Sequence, residues 1–184
     1  GTAAADLHAT IGRAYACRGE REKARKHLER ARVLALNTHG DHHEKYADIL
    51  VDCSRPDGSD PSERLAREAD IRRALAIYRA RGVGGEQVIR ALFTLQWNLG
   101  EQASAGASAK ADEIEPVLNE ALAEAAKSPG VEFPKIASIH TAMANVWAGR
   151  SQYAEAEKIA RQAVTLHLKS HPDSLETGWG FFVL

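Results

Sequence analysis

A chain of 184 residues, 27% of them charged and with a net charge of -1, is long enough to bury a real core. Its balance speaks against a nucleic-acid protein of strongly basic composition and against an acidic solvating tail. No apolar run approaches the length of a membrane span, and only Cys17 and Cys53 are present, so the expectation is a soluble, cytoplasmic chain with no disulfide framework and no membrane partner.

Apolar and alanine residues recur three and four apart along the whole sequence, and no alternating strand candidate exceeds a few residues, which predicts an all-α class. In chain order, a first helical pair is predicted over about 5–38, closed by "NTHGDHH", and a second over about 42–82, interrupted by "SRPDGSDP". A third follows over about 86–128, bent at "SAGAS", and a fourth over about 134–170 after "SPGVEFP". Residues 171–184 begin a further helix or a cap. Pro61 and Pro134 suit helix first turns. Charge is uneven along this order: eight basic residues face three acids between Arg13 and Arg32, and seven acids face two lysines between Glu101 and Phe133. No charged-then-apolar leader opens the chain, and Gly1 in place of methionine leads us to expect flanking sequence.

The pairs repeat. Ala31, Ala74, Ala121 and Ala163 are 43, 47 and 42 residues apart, each in the second helix of its pair. "IGRAYACRGEREKARKHLERA" and "TAMANVWAGRSQYAEAEKIARQA" superpose without a gap, Gly12 on Ala144, Tyr15 on Trp147, Ala24 on Ala156 and Ala31 on Ala163. Small residues at such spacings serve the close crossing of two helices, with an aromatic filling the space beside them.

These residues, with the turn glycine Gly19, resemble the tetratricopeptide repeat in its long variety of roughly 42 residues, as in kinesin light chains and many bacterial signalling proteins. "GDHHEKYA" and "HPDSLE" resemble the connectors of that variety. The middle units depart from the pattern, with Arg67 where a small residue belongs and "WNLG" matching only if two residues enter the following turn. The resemblance implies a right-handed α-solenoid of about four helical hairpins with a C-terminal capping segment. It implies a non-enzymatic scaffold that binds a protein or peptide in a concave groove lined by first helices, as a domain of a larger bacterial signalling or regulatory protein. Counted from the packing positions, the groove would present Asp6, Ala9 and Arg13, then Glu44, Ala47 and Val51, then Trp97 and Glu101, then Thr141 and Asn145. Arg13 and Asn145 would be polar anchors and Trp97 the apolar one, while Trp147 fits the core better. The Lys and Asn with which some family members clamp a chaperone's terminal carboxylate are replaced by Ala9 and Arg13, so chaperone binding is not expected.

Other chemistry is thinly represented. "HGDHHE" offers His39, Asp41, His42, His43 and Glu44, a set suited to zinc or nickel or to a small hydrolytic site, but its spacing matches no ligand motif and Asp41 can cap the next helix. Cys17 and Cys53 lack a nucleophile signature and read as small buried hydrophobes. Asp112, Glu113 and Glu115 suit the start of a helix, where acids favour the macrodipole. "GVGGE" lacks the Lys-Ser/Thr of a phosphate loop, and the arginine-rich second helix reads as a solvated face, so neither a cofactor nor nucleic acid is expected. In the tail, burying each of the large apolar side chains is worth ~1.5 to 3 kcal/mol. Trp179, Phe181, Phe182, Val183 and Leu184 are therefore expected to pack on the fourth pair or on a second copy, the latter giving a homo-oligomer.

Overall fold

The computed structural model describes residues 2–55, 61–128 and 133–170. Among them are eight α-helices and no strand: α1 (Thr2–Cys17), α2 (Arg21–His39), α3 (Glu44–Cys53), α4 (Pro61–Arg81), α5 (Glu86–Ser104), α6 (Ala109–Lys127), α7 (Phe133–Gly149) and α8 (Tyr153–Ser170). They pack as adjacent pairs, α1 with α2, α3 with α4, α5 with α6 and α7 with α8. Each pair meets the next where its second helix touches the following first helix, and the first helices also meet, α1 with α3 and α3 with α5. Residues 171–184 lie outside the described residues, and with them the expected packing of Trp179, Phe181, Phe182 and Leu184.

The small residues do what their spacing implies. Ala31, Ala74 and Ala121 are 0% exposed and Ala163 is 1% exposed, so each second helix presents a bare flank to its neighbours. The core they border is continuous from Ala5 of α1 to Ile139 of α7, with Tyr46, Leu50, Ile71, Tyr78, Leu92, Leu99 and Leu118 at its centre. Gly12 sits where α1 crosses α2: a Cβ there would stand 2.7 Å from Leu28 Cγ and 3.2 Å from the Leu28 backbone nitrogen. Alanine gains about 1 kcal/mol of helix propensity over glycine, but overpacking of this kind costs about 1–3 kcal/mol. Gly12→Ala is accordingly expected to lower the melting temperature, measured by circular dichroism, although the alanine at the equivalent position of the fourth hairpin, Ala144, is accommodated at 0% exposure.

The turns carry the same correspondence. Gly19 closes the first hairpin at φ 74°, and Ser151, at the superposed position of the fourth, holds φ 59°, the one non-glycine residue in the left-handed region among the described residues. The α2–α3 connector departs from expectation in its cap. His43, not Asp41, precedes α3, and its Nδ1 accepts from the Lys45 backbone N–H at 3.1 Å. Asp41 is drawn away to Arg73 of α4 at 2.7 Å. Of the acids expected at the start of α6, only Asp112 lies in the first turn. Glu113 instead pairs with Arg72 of α4, and Glu115 with Arg150 beyond α7.

Candidate functional site

Among the described residues, two of the depressions on the side formed by the first helices have contrasting chemistry. The first, about 510 Å³, lies among α1, α3 and α5 and is bordered by Asp6, Arg13, Lys45, Asp48, Glu86 and Arg90. Its charges answer one another across helices. Asp52, with a side chain 2% exposed, accepts from Arg13 Nη1 at 2.7 Å through one oxygen and from Arg90 Nη1 at 2.8 Å through the other. Arg90 also reaches Asp48 at 3.1 Å, and Asp48 accepts from the buried Tyr78 hydroxyl at 2.7 Å. Lys45 bridges to Asp6 at 3.3 Å, and Lys135 of α7 reaches Glu86 of α5. Burial alone would lower the pKa of the Arg90 guanidinium, but Asp52, Tyr78 and Asp48 outweigh it and raise it instead.

The second depression, about 660 Å³, opens between α5 and α7. Its walls include Ile114, Ala142 and Val146, its rim Thr141 and Asn145, and Trp97 stands over it 62% exposed. His167 of α8 reaches its wall, 5% exposed.

The sequence-predicted groove residues fall on this side unevenly. Trp97, Thr141 and Asn145 are brought together around the second depression, and Asp6 and Arg13 border the first. Arg13 is not a free anchor, because Asp52 already holds it. Glu101 accepts from Arg67 at 3.1 Å rather than standing alone. Glu44 is exposed at the start of α3, whereas Ala47 and Val51 are core, 0% and 1% exposed, and offer a ligand no surface. The acidic side of α3 is Asp48 and Asp52, one residue further on, and these two with Arg90 are the groups that sequence reasoning missed. An i, i+4 pair of aspartates inside the otherwise largely apolar "YADILVDC" was the available signal, since buried carboxylates demand cations.

Arg67 likewise explains its own misfit. It is 7% exposed and reaches from α4 to α5, donating to Asn98 Oδ1 at 3.2 Å and to Glu101. Asn98, 0% exposed, donates in turn to the carbonyl of Ser54 at 2.9 Å, at the end of α3. A guanidinium thus occupies the site where the repeat pattern wants a small residue, and a polar network replaces close packing there.

A second network joins α4, α5 and α6 around Glu68, which accepts from Gln102 at 2.7 Å, Lys110 at 2.9 Å and Arg72 at 3.0 Å. Burial would raise the Glu68 carboxyl, yet the hydrogen bonds from Lys110, Gln102 and Arg72 prevail and hold it below the ordinary glutamate value of 4.5. A carboxylate whose pKa is depressed by folding stabilises the native state above its unfolded value, and that contribution is lost as the pH falls through the folded one. The stability gap between the natural chain and Glu68→Gln, from urea unfolding, is therefore expected to be full at pH 7 and to shrink steadily below pH 4.5. A gap that does not change with pH would show that the carboxylate charge contributes nothing.

The remaining candidates are otherwise engaged. His39 stacks on His43 with ring centroids 4.6 Å apart, and His42 lies 3.5 Å from Asp41. Among the described residues no three His, Cys, Asp or Glu side chains are grouped to hold a metal ion. Cys53 is half-buried, and burial pushes its thiol up to about 12, far from nucleophilic at neutral pH. Cys17, expected to be buried, is exposed at the end of α1. The arginine-rich α2 is partly neutralised by its own glutamates and by Arg32 with Asp70 at 3.5 Å. No described helix is long and apolar enough to cross a membrane. No protein-family model matches the chain, and no curated protein matches it.

Proposed function

We propose that the chain is a non-enzymatic interaction module, a tetratricopeptide-like right-handed solenoid that binds a segment of another protein along its first-helix side within a larger signalling or regulatory protein. The observation that carries this reading is the exposed Trp97, 62% accessible beside an apolar depression rimmed by Thr141 and Asn145. Large aromatics on concave, weakly charged walls are the usual anchors of peptide recognition, because they bury much area at little entropic cost. The four hairpins at a spacing near 42 residues and the fully buried alanines support the repeat architecture. A random peptide library panned against the chain tests the reading. Selected peptides are expected to lose at least about 10-fold in affinity on Trp97→Ala. Peptides that bind Trp97→Ala and Asn145→Ala as tightly as the natural chain would reject the groove.

A further inference from the structure

We infer that the segment bound on the first-helix side carries an acidic side chain, aspartate or glutamate, that pairs with Arg64 of α4, while an apolar side chain of the same segment fills the depression between α5 and α7. The inference rests on the groove reading above and deepens it, giving the ligand a charge and a direction.

The depression between α5 and α7 does not end at Trp97. Gln96, Trp97, Gly100 and Ser104 also border a hollow of about 550 Å³ between α4 and α5, which reaches Arg64 and Glu101. One trough therefore crosses the indole, apolar at Ile114, Ala142 and Val146 and charged at its α4 end. That end is not balanced. Glu101, its one carboxylate among the described residues, accepts from Arg67 at 3.1 Å, so these two cancel and Arg64 leaves a net positive charge.

Arg64 stands apart from the other cations of the fold. Among the described residues every other buried or half-buried lysine or arginine pairs with a carboxylate, as Arg13 and Arg90 do with Asp52, Arg67 with Glu101 and Lys110 with Glu68. Arg64 is half-buried and has no ion pair among them. Its Nε is covered and beyond a ligand's reach, but its terminal nitrogens are not covered. A guanidinium that has lost part of its hydration without gaining a counter-ion is best satisfied by a carboxylate, whose two oxygens accept from its planar fork. An amide or hydroxyl leaves the charge uncompensated, and an ammonium is repelled. The acid is a side chain, not a chain terminus, because the trough runs on. Trp97 and Glu101 also border a hollow of about 570 Å³ among α2, α3 and α4, which carries the bound backbone beyond Arg64.

The probes are peptides panned from a random library against the full chain and kept where Trp97→Ala weakens them. In each, every aspartate or glutamate is changed in turn to its amide and the free C-terminus is amidated, with affinities read by fluorescence polarisation. One side-chain replacement is expected to cost about 5-fold against the natural chain and nothing against Arg64→Gln. Arg64→Lys should keep most of the discrimination, and a peptide with lysine at that position should prefer Arg64→Glu. In the isotope-labelled natural chain the Arg64 Nε–H resonance should shift with the acidic peptide and not with its amide counterpart, a readout independent of whether any variant folds. Trp97-dependent peptides without an acid, an equal loss against the natural chain and Arg64→Gln, or a loss on amidating the C-terminus in place of the side chain overturns the inference while leaving the groove reading standing. A library that yields no Trp97-dependent peptide rejects the groove reading and the inference with it.

Discussion

Replacing Asn98 with leucine is expected to lower the free energy of unfolding by about 3 kcal/mol, since it removes the donor to the buried Ser54 carbonyl and an acceptor of the buried Arg67, losses of ~1–3 kcal/mol each. Asn98 is 0% exposed. Its Nδ2 donates to the carbonyls of Ser54 and Thr94, both at 2.9 Å, and its Oδ1 accepts from Arg67 Nε at 3.2 Å. The Ser54 carbonyl belongs to a residue 1% exposed just past the end of α3, where helix acceptors lack intrahelical partners, so no water replaces the lost donor. Arg67 keeps Glu101 and loses one acceptor, Asn98 Oδ1. Leucine has asparagine's branched arrangement of heavy atoms but bulkier ends, so overpacking adds to the cost of the lost hydrogen bonds. Against a total stability of about 5–15 kcal/mol typical of such domains, the change is large. Urea unfolding followed by circular dichroism measures it. Asn98→Asp is the sharper variant, because it keeps the shape but turns an oxygen toward two carbonyl oxygens. It should be about as damaging as leucine, and a well-tolerated Asn98→Asp would show that the Nδ2 bonds contribute little.

Removing the carboxylate of Asp52 is expected to cost somewhat less, about 2–3 kcal/mol, at the low edge of what breaking a buried ion pair from one side usually costs. Asp52 joins three hairpins at once through Arg13 of α1 and Arg90 of α5. In Asp52→Leu the Arg13 side chain, 42% exposed, can swing into water. Arg90 retains Asp48, which moderates the loss. The cycle formed by Asp52→Leu, Arg13→Met and the double variant should give a coupling energy of about 1 kcal/mol or more, since the residues touch. Because one partner is buried, that coupling should persist in high salt, unlike the screened pairs of the outer surface. Additivity within about 0.3 kcal/mol would show that the contact contributes nothing.

What the sequence disclosed and what it hid follow from the same physics. The hairpins and their turns were legible because glycine, proline and serine punctuate them and because the packing alanines recur every 42 to 47 residues. Ala24 and Ala156, superposed in sequence, are 5% and 6% exposed in the fold. The orientation of α3 was not legible. Tyr46, Ala47, Ile49, Leu50 and Val51 are all buried, so its apolar face covers more than half of the helix circumference, too broad a face to show from sequence which positions border the open side. Its acids find their cations 38 to 42 residues away along the chain, on neighbouring helices. Arg67 was visible as a violation of the repeat pattern, but its meaning required Asn98, 31 residues on. His167 carried no local signal, since one histidine on a helix does not declare its burial.

The ion pairs among α1, α3 and α5 also govern how that end of the first-helix side can answer an arriving chain. An incoming carboxylate that approaches Arg13 or Arg90 competes with Asp52 and Asp48, and an incoming ammonium that approaches Asp6 competes with Lys45. Like is traded for like, as on an ion-exchange resin, so the net Coulomb gain is small. Selection there turns on the order in which opposite charges are strung along the visitor, not on their sum.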